Sequence, residues 1–210
     1  VDAMVIVPVK DCLDHLKALE KQPIPVVYID RYCNGINSDV FCVDNFDGGY
    51  QLTNLLISKK YQKIAAFTLD DYLTNNIDRI KGYRQALQDN GILINGEWTY
   101  TMGYEELDGK LYNTLDKVIK DDCDAIFFAN NSIAIRSMKY FNERNITVPD
   151  EVAMVSFDNP MAFQVSSPGI TCYKQPIEKI SKSTLELIAT KMESKIVSKP
   201  RKNKNKLPKF

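Results

Sequence analysis

The 210-residue chain is 44% hydrophobic, enough apolar content to bury a core in one large domain or two small lobes. No run nears the roughly 20 apolar residues of a membrane span, and the opening VDAMVIVPVK lacks the basic lead of a signal peptide. Basic and acidic residues balance at 27 each, but seven of the basic ones lie between Lys195 and Phe210 with no acidic residue among them, so the remainder holds 20 against 27, a net of −7. An acidic body is a poor nucleic-acid surface, and the basic tail reads as a solvated segment.

Five cysteines (Cys12, Cys33, Cys42, Cys123, Cys172) are widely spaced with no CxxC pair, and His15 is the single histidine. That excludes a clustered zinc site. The cysteines read as small buried apolar residues in a reducing cytosol, and His15 as a surface residue.

In chain order, the apolar run Ala3–Val9 predicts a buried strand. Asp11–Lys21 predicts a helix on Leu13, Leu16 and Leu19, closed by Pro23 and Pro25. Val26–Asp30 and Val40–Asp44 predict strands. A helix follows through FDGGYQLTNLLISKKY, with Asp47 as its expected N-cap. Lys63–Leu69 is the next strand, Asp70–Asn76 a polar loop, and Ile77–Asn90 a helix ended by Gly91. Trp98–Met102 is a short strand and Glu105–Lys120 a helix with Leu107, Leu111, Leu115 and Val118 in phase.

The stretch from Asp124 to Pro160 organises the rest. Strand Asp124–Ala129 runs into the polar corner Asn130-Asn131, then a helix from Ser132 to about Arg144 and a Pro-marked loop. Strand Val152–Phe157 then ends in a second polar corner, Asp158-Asn159-Pro160. In open parallel sheets, ligands bind outside the carboxyl ends of the strands, where these corners lie. Strand Ile170–Tyr173 and a long helix, Ile177–Ile196, complete the pattern. Alternation of this kind means an α/β fold of parallel sheets with helices on both faces.

Catalytic and cofactor motifs are missing. There is no G-x-S-x-G elbow, P-loop or G-x-G-x-x-G, and a serine nucleophile has no base placed for it. The carboxylate pairs Asp70-Asp71 and Asp121-Asp122 read as solvated turns, although a glycosidase pair is defined by a spatial separation that sequence leaves open.

What stands out is a set of planar hydrogen-bonding groups near strand ends: Asp30, Arg79, Asn130, Asp158 and Gln175. A guanidinium is a fork of donors, while carboxylates and amides accept or donate in pairs. Such groups match the neighbouring hydroxyls of a sugar, and Phe127 or Phe128 would offer a ring to stack on it. The plainer reading is that Asn130-Asn131 caps a helix and Asp158-Asn159-Pro160 makes a turn.

At these residues the chain resembles the lac-repressor/galactose-repressor family of bacterial transcription regulators. The segments IPVVYIDR, VDNFDGGYQLTNLLISKKYQKIAAF, RIKGYRQALQDNGI, DAIFFANNSIAIRSMKYFNERNITVPDEVAMVSFDNP and ITCYKQPIEKISKSTLELI stand in family order and cover nearly all of Val1–Ile196. The resemblance implies a two-lobed periplasmic-binding-protein-like core, incomplete at both ends. One partial lobe would be 1–43 with 177–198, the other 44–176, and 199–210 would begin a final crossing segment. It implies a small effector, a sugar or sugar derivative, in a cleft between the lobes. It also implies a cytoplasmic homodimer, and operator DNA bound through a headpiece outside this sequence. No metal, cofactor or membrane contact is implied.

By the same resemblance, Arg79 matches the arginine of an R-x-x-G-aromatic motif that contacts effector. Asn130 matches the first polar residue of an A-N-D motif, Asp158 the aspartate of a G-aromatic-D motif, Gln175 a hinge glutamine, and Asp30 an acidic position facing the cleft. Two positions depart from the pattern: Asn131 stands where aspartate is usual, and Ser156 where glycine is. An extracytoplasmic sugar-binding protein of the same fold is the alternative, and a sugar-processing enzyme the third reading. The unpaired cysteines and the segment VPDEVAMVSFD weigh against the transporter reading.

Overall fold

The computed structural model describes residues 1–69, 72–93 and 98–194. The Asp70-Asp71 pair, the basic tail and the expected segment at 199–210 lie outside the described residues. The chain forms two compact units. One comprises 1–44, 73–75 and residues from Pro176 on, the other 45–72 and 76–175.

The smaller unit is a parallel three-stranded sheet of β1 (Met4–Ile6), β2 (Val26–Ile29) and β3 (Asp39–Phe41), in that order. One face of it packs Val26 and Tyr28 against Leu16 of α1 (Leu13–Glu20). The other packs Val27 and Phe41 against Ile180, Leu187 and Ile188 of α7 (Ile177–Ser194). Lys191 on α7 is tied to the buried Asp39 carboxylate at 2.6 Å. The first strand is shorter than the apolar run Ala3–Val9 predicts, and it is not a buried strand. Among the described strands it pairs with β2 alone, and Val5 within it and Val7 and Val9 beyond it are exposed.

The larger unit is built on a parallel five-stranded sheet with strand order β5-β4-β6-β7-β8. The strands are β4 (Ile64–Leu69), β5 (Thr99–Met102), β6 (Ala125–Phe128), β7 (Ala153–Phe157) and β8 (Thr171–Tyr173). Both faces of the central strands are covered, which is why β4, β6 and β7 read as continuous apolar runs. Side chains alternate between faces. Ala65, Phe67, Ile126, Phe128 and Met154 pack with Leu111, Leu115, Ile133 and Phe141, which come from α4 (Leu107–Lys120) and α5 (Asn131–Arg144). On the opposite face lie α2 (Asn45–Ser58) and α3 (Thr74–Asp89), where Tyr83 stacks on Phe127 with centroids 5.9 Å apart.

Helix α2 starts at Asn45, so Asp47 lies inside its first turn rather than at its N-cap, and accepts a hydrogen bond from Gln51 at 2.6 Å. Helix α3 starts three residues before Ile77. It ends as expected near Gly91, which takes φ +68°, a conformation free of cost only for glycine. The sequence reading missed the five-residue helix α6 (Met161–Val165), which is too short to show a period. Asp121 and Asp122 lie in the exposed turn after α4.

Candidate functional site

In the larger unit the candidate residues gather at the carboxyl edge of β4, β6 and β7, and two glycines bring them there. A Cβ on Gly49 of α2 would sit 2.2 Å from the Arg79 carbonyl oxygen, and one on Gly82 of α3 would sit 2.0 Å from that of Phe46. Helices α2 and α3 therefore touch backbone to backbone, and no larger residue fits at either crossing point.

That approach places Arg79 under the sheet edge with 2% of its surface exposed. Its Nε donates to Asn45 Oδ1 at 2.8 Å, and Nη1 donates to the Ala129 carbonyl, just past β6, at 2.7 Å. The guanidinium carbon lies 3.6 Å from the centroid of Phe157. A buried cation is tolerated only when its donors are satisfied. Here an amide, a backbone carbonyl and an aromatic face supply that satisfaction.

Asn130 is the N-cap residue of α5, but its carboxamide makes no capping bond. Oδ1 instead accepts from the Leu69 N–H at 2.9 Å, and Nδ2 donates to Asn76 Oδ1 at 2.9 Å. Asn76 in turn donates to the Leu69 carbonyl. Asn130 and Asn76 thus satisfy both backbone groups of Leu69, where β4 ends. The sequence reading missed Asn45 and Asn76, whose partners lie 34 and 54 residues away. The one available signal was their position at the start of a helix that follows a strand.

Asp158 follows β7 in the left-handed region at φ +69°. This conformation is uncommon outside glycine but accessible to Asp and Asn. Its N–H donates to the Tyr173 carbonyl at 3.0 Å, and its Oδ1 accepts from Gln175 Nε2 at 2.5 Å. The carboxylate is half-buried, and its partner is a neutral amide rather than a cation. Burial, then the charge of Asp158, pushes the Cys172 thiol up from its ordinary value.

Phe127 has no exposed surface. Its ring is held against Tyr83 inside the core, as a strand covered on both faces requires, and it has no face to offer a ligand. Phe128 is equally buried, against Phe67 on the other face. Ser156 is also fully buried, and its hydroxyl donates to the Phe157 carbonyl at 3.0 Å.

Asp30 belongs to the smaller unit and ends β2 with φ +70°. Its N–H donates to the Phe41 carbonyl at 3.0 Å. Its Oδ2 accepts from Arg31 Nε at 2.7 Å and from Asn75 Nδ2 at 3.3 Å.

Among the described residues, no group of three or more His, Cys, Asp or Glu side chains is placed to hold a metal ion. No helix among them is long and apolar enough to cross a membrane.

The family described as periplasmic binding protein-like domain matches residues 53–207. The HTH-type transcriptional regulator DegA of Bacillus subtilis is 28% identical over 176 residues, which are 81% of this chain and 50% of that protein. A regulatory protein of the LacI family from Chloroflexus aggregans superimposes with a TM-score of 0.85 at 23% identity, covering 99% of this chain and 73% of the other. The transcriptional regulator CelR in complex with cellobiose superimposes with a TM-score of 0.83 at 21% identity, covering 98% and 63%. The chain spans about half the length of the curated relatives it matches.

Proposed function

The chain belongs to the periplasmic binding protein-like domain family, and we propose on that footing that it is the effector-sensing core of a sugar-responsive transcriptional repressor. Its relatives are transcription regulators, and one structural neighbour of the same fold holds a disaccharide. The observation that carries the reading is the carboxylate of Asp158, turned out of a strand end by its left-handed backbone and oriented by Gln175. A charged acceptor beside an amide binds a pair of adjacent sugar hydroxyls, one donating and one accepting.

In this reading Asp158 and Gln175 contact the effector, and the Asp30 carboxylate of the smaller unit, already paired with Arg31, is withheld from it. Asn130 and Arg79 hold the strand ends in place, since their polar atoms are engaged within the fold. Effector binding that favours one conformation of the core changes the operator affinity of a DNA-binding headpiece by the coupling free energy, and operator binding changes effector affinity equally. The protein acts in the cytoplasm as a homodimer. The exposed Met161 and Val165, one turn apart on α6, supply apolar surface for self-association. No catalytic step, cofactor or membrane contact enters this reading.

The test is a thermal-shift screen of sugars, sugar phosphates and nucleobases on the intact protein, followed by calorimetry. A ligand that binds only the folded state raises the melting temperature. Asp158→Asn is expected to weaken the best sugar at least tenfold, about 1.4 kcal/mol, without unfolding the protein. A nucleobase as the best ligand, or undiminished sugar affinity in Asp158→Asn, overturns the assignment.

A further inference from the structure

The smaller unit contains a feature that effector sensing does not use. Cys12 precedes α1 and Cys33 lies in the loop after β2, where its thiol donates to the Asn34 carbonyl at 3.8 Å. Burial, then the charge of the nearby Cys12 thiol and a hydrogen bond with it, push the Cys33 thiol up. The two loops meet along their length rather than at one point. Both cysteines pack on the cluster of Leu16, Val26 and Tyr28. One residue on from Cys12, the Leu13 Cδ1 atom lies 3.4 Å from where a Cβ on Gly35 would stand. At the far end of α1, Glu20 Oε1 accepts from the Asn37 N–H at 2.9 Å and the Ser38 hydroxyl at 2.7 Å. The 12–20 and 33–38 segments therefore run side by side in fixed register, which brings Cys12 and Cys33 to the same end of the pairing.

Both cysteines are free and part-exposed. This corrects the expectation that all five are buried; Cys123 alone is. Cys123 has its thiol pushed up to about 12 by burial, and an apolar site of that kind makes a thiol inert.

We infer that Cys12 and Cys33 form an oxidisable dithiol that a hydroperoxide converts to a disulfide, tying the loop after β1 to the loop that carries Asp30. In the first step the Cys12 sulfur attacks the terminal peroxide oxygen. An S–O bond forms as the O–O bond breaks, and the departing oxygen takes the Cys12 thiol proton and leaves as water or an alcohol. In the second step Cys33 attacks the sulfenic sulfur, and hydroxide leaves as water with the Cys33 proton. The pair loses two electrons and the peroxide gains them. The order follows from Cys33, whose thiol proton is engaged with the Asn34 carbonyl at 3.8 Å and whose thiol is pushed up by burial. Cys33 is three residues from Asp30, so the bond restrains the backbone that positions that carboxylate.

The test uses hydrogen peroxide on the reduced full chain under native conditions, with maleimide blocking, non-reducing digestion and tandem mass spectrometry. A Cys12–Cys33 linked pair is expected as the dominant disulfide, with a higher melting temperature, and both are reversed by dithiothreitol. In a Cys33→Ser variant, dimedone is expected to tag Cys12 as a sulfenic acid. Retention of all five thiols, counted with maleimide in denaturant after the native peroxide treatment, or a dominant link to Cys42, Cys123 or Cys172, overturns the inference. An untagged Cys12 in folded Cys33→Ser overturns the order of steps. Should that variant fail to fold, the linkage map of the unaltered protein decides alone. None of these readouts involves an effector, so they stand or fall apart from the proposed function.

Discussion

Asp30 and Asp158 occupy the same local position in the two units, and their surroundings differ. Each follows the last residue of a parallel strand, takes a φ near +70°, and donates its N–H to the carbonyl ending the neighbouring strand. The backbone device is therefore shared: a left-handed aspartate stops the strand and turns its carboxylate away from the sheet. What each carboxylate meets is not shared. Asp158 is oriented by the neutral amide of Gln175 beside a buried network centred on Arg79. Asp30 is paired with the cation of Arg31, and the nearby structure is a thiol pair in part-exposed loops. An anion held by an amide remains available to a ligand, whereas one held by a guanidinium is already half-compensated.

The comparison is tested hardest at Arg79. Arg79→Met keeps most of the side-chain volume but leaves Asn45 Oδ1 and the Ala129 carbonyl without their buried donor. Hydrogen bonds to charged groups are worth about 1.5–3 kcal/mol each, and the contact with Phe157 is lost as well. A loss of about 3 kcal/mol is expected in urea unfolding of the larger unit. A loss below about 1 kcal/mol would mean that the network does not hold the sheet edge together.

Asn130→Ala comes next. It removes the acceptor of the Leu69 N–H and a donor to Asn76 Oδ1, at about 1–3 kcal/mol for an unsatisfied buried group. Amide hydrogen exchange localises the effect, because Leu69 should lose protection while residues of β2 do not. Equal loss of protection in both units would remove the distinction drawn between them.

These networks also mark where sequence reasoning stops. The β4, β6 and β7 strands are legible because burial on both faces demands consecutive apolar residues, and the end of α3 is legible because Gly91 is needed at positive φ. Asp158 and Asp30 were visible as polar residues closing apolar runs. Asn45 and Asn76 were not, because a side-chain bond across 34 or 54 residues leaves no period and no local pattern. Phe127 misled for a related reason: a ring on a central strand beside a candidate site looks available until the helix covering it is known. Cys12 and Cys33 carry no recognisable spacing and become a pair only through the register of α1 with the 33–38 loop.

The smallest expected effect falls at Asp30, and it bears most directly on what separates the two corners. Asn tolerates the left-handed region as Asp does, so Asp30→Asn preserves the strand stop and removes only the charge. The pair it breaks is part-exposed, with side-chain exposures of 20% for Arg31 and 28% for Asp30. Pairs of that kind contribute about 0.2–1 kcal/mol, and solvent screening places this one toward the lower end. The amide still accepts from Asn75 and from Arg31, as a neutral acceptor. Thermal unfolding should therefore shift by no more than about 2 °C, and the shift should shrink in high salt as screened surface pairs do. Asp158→Asn is the matched change on the same backbone. It should leave stability similarly intact while weakening the effector, because there the lost charge is the one a ligand meets. If Asp30→Asn instead weakens the effector as much as Asp158→Asn does, then pairing with Arg31 does not withdraw that carboxylate. The two corners would then be equivalent in chemistry as well as in backbone.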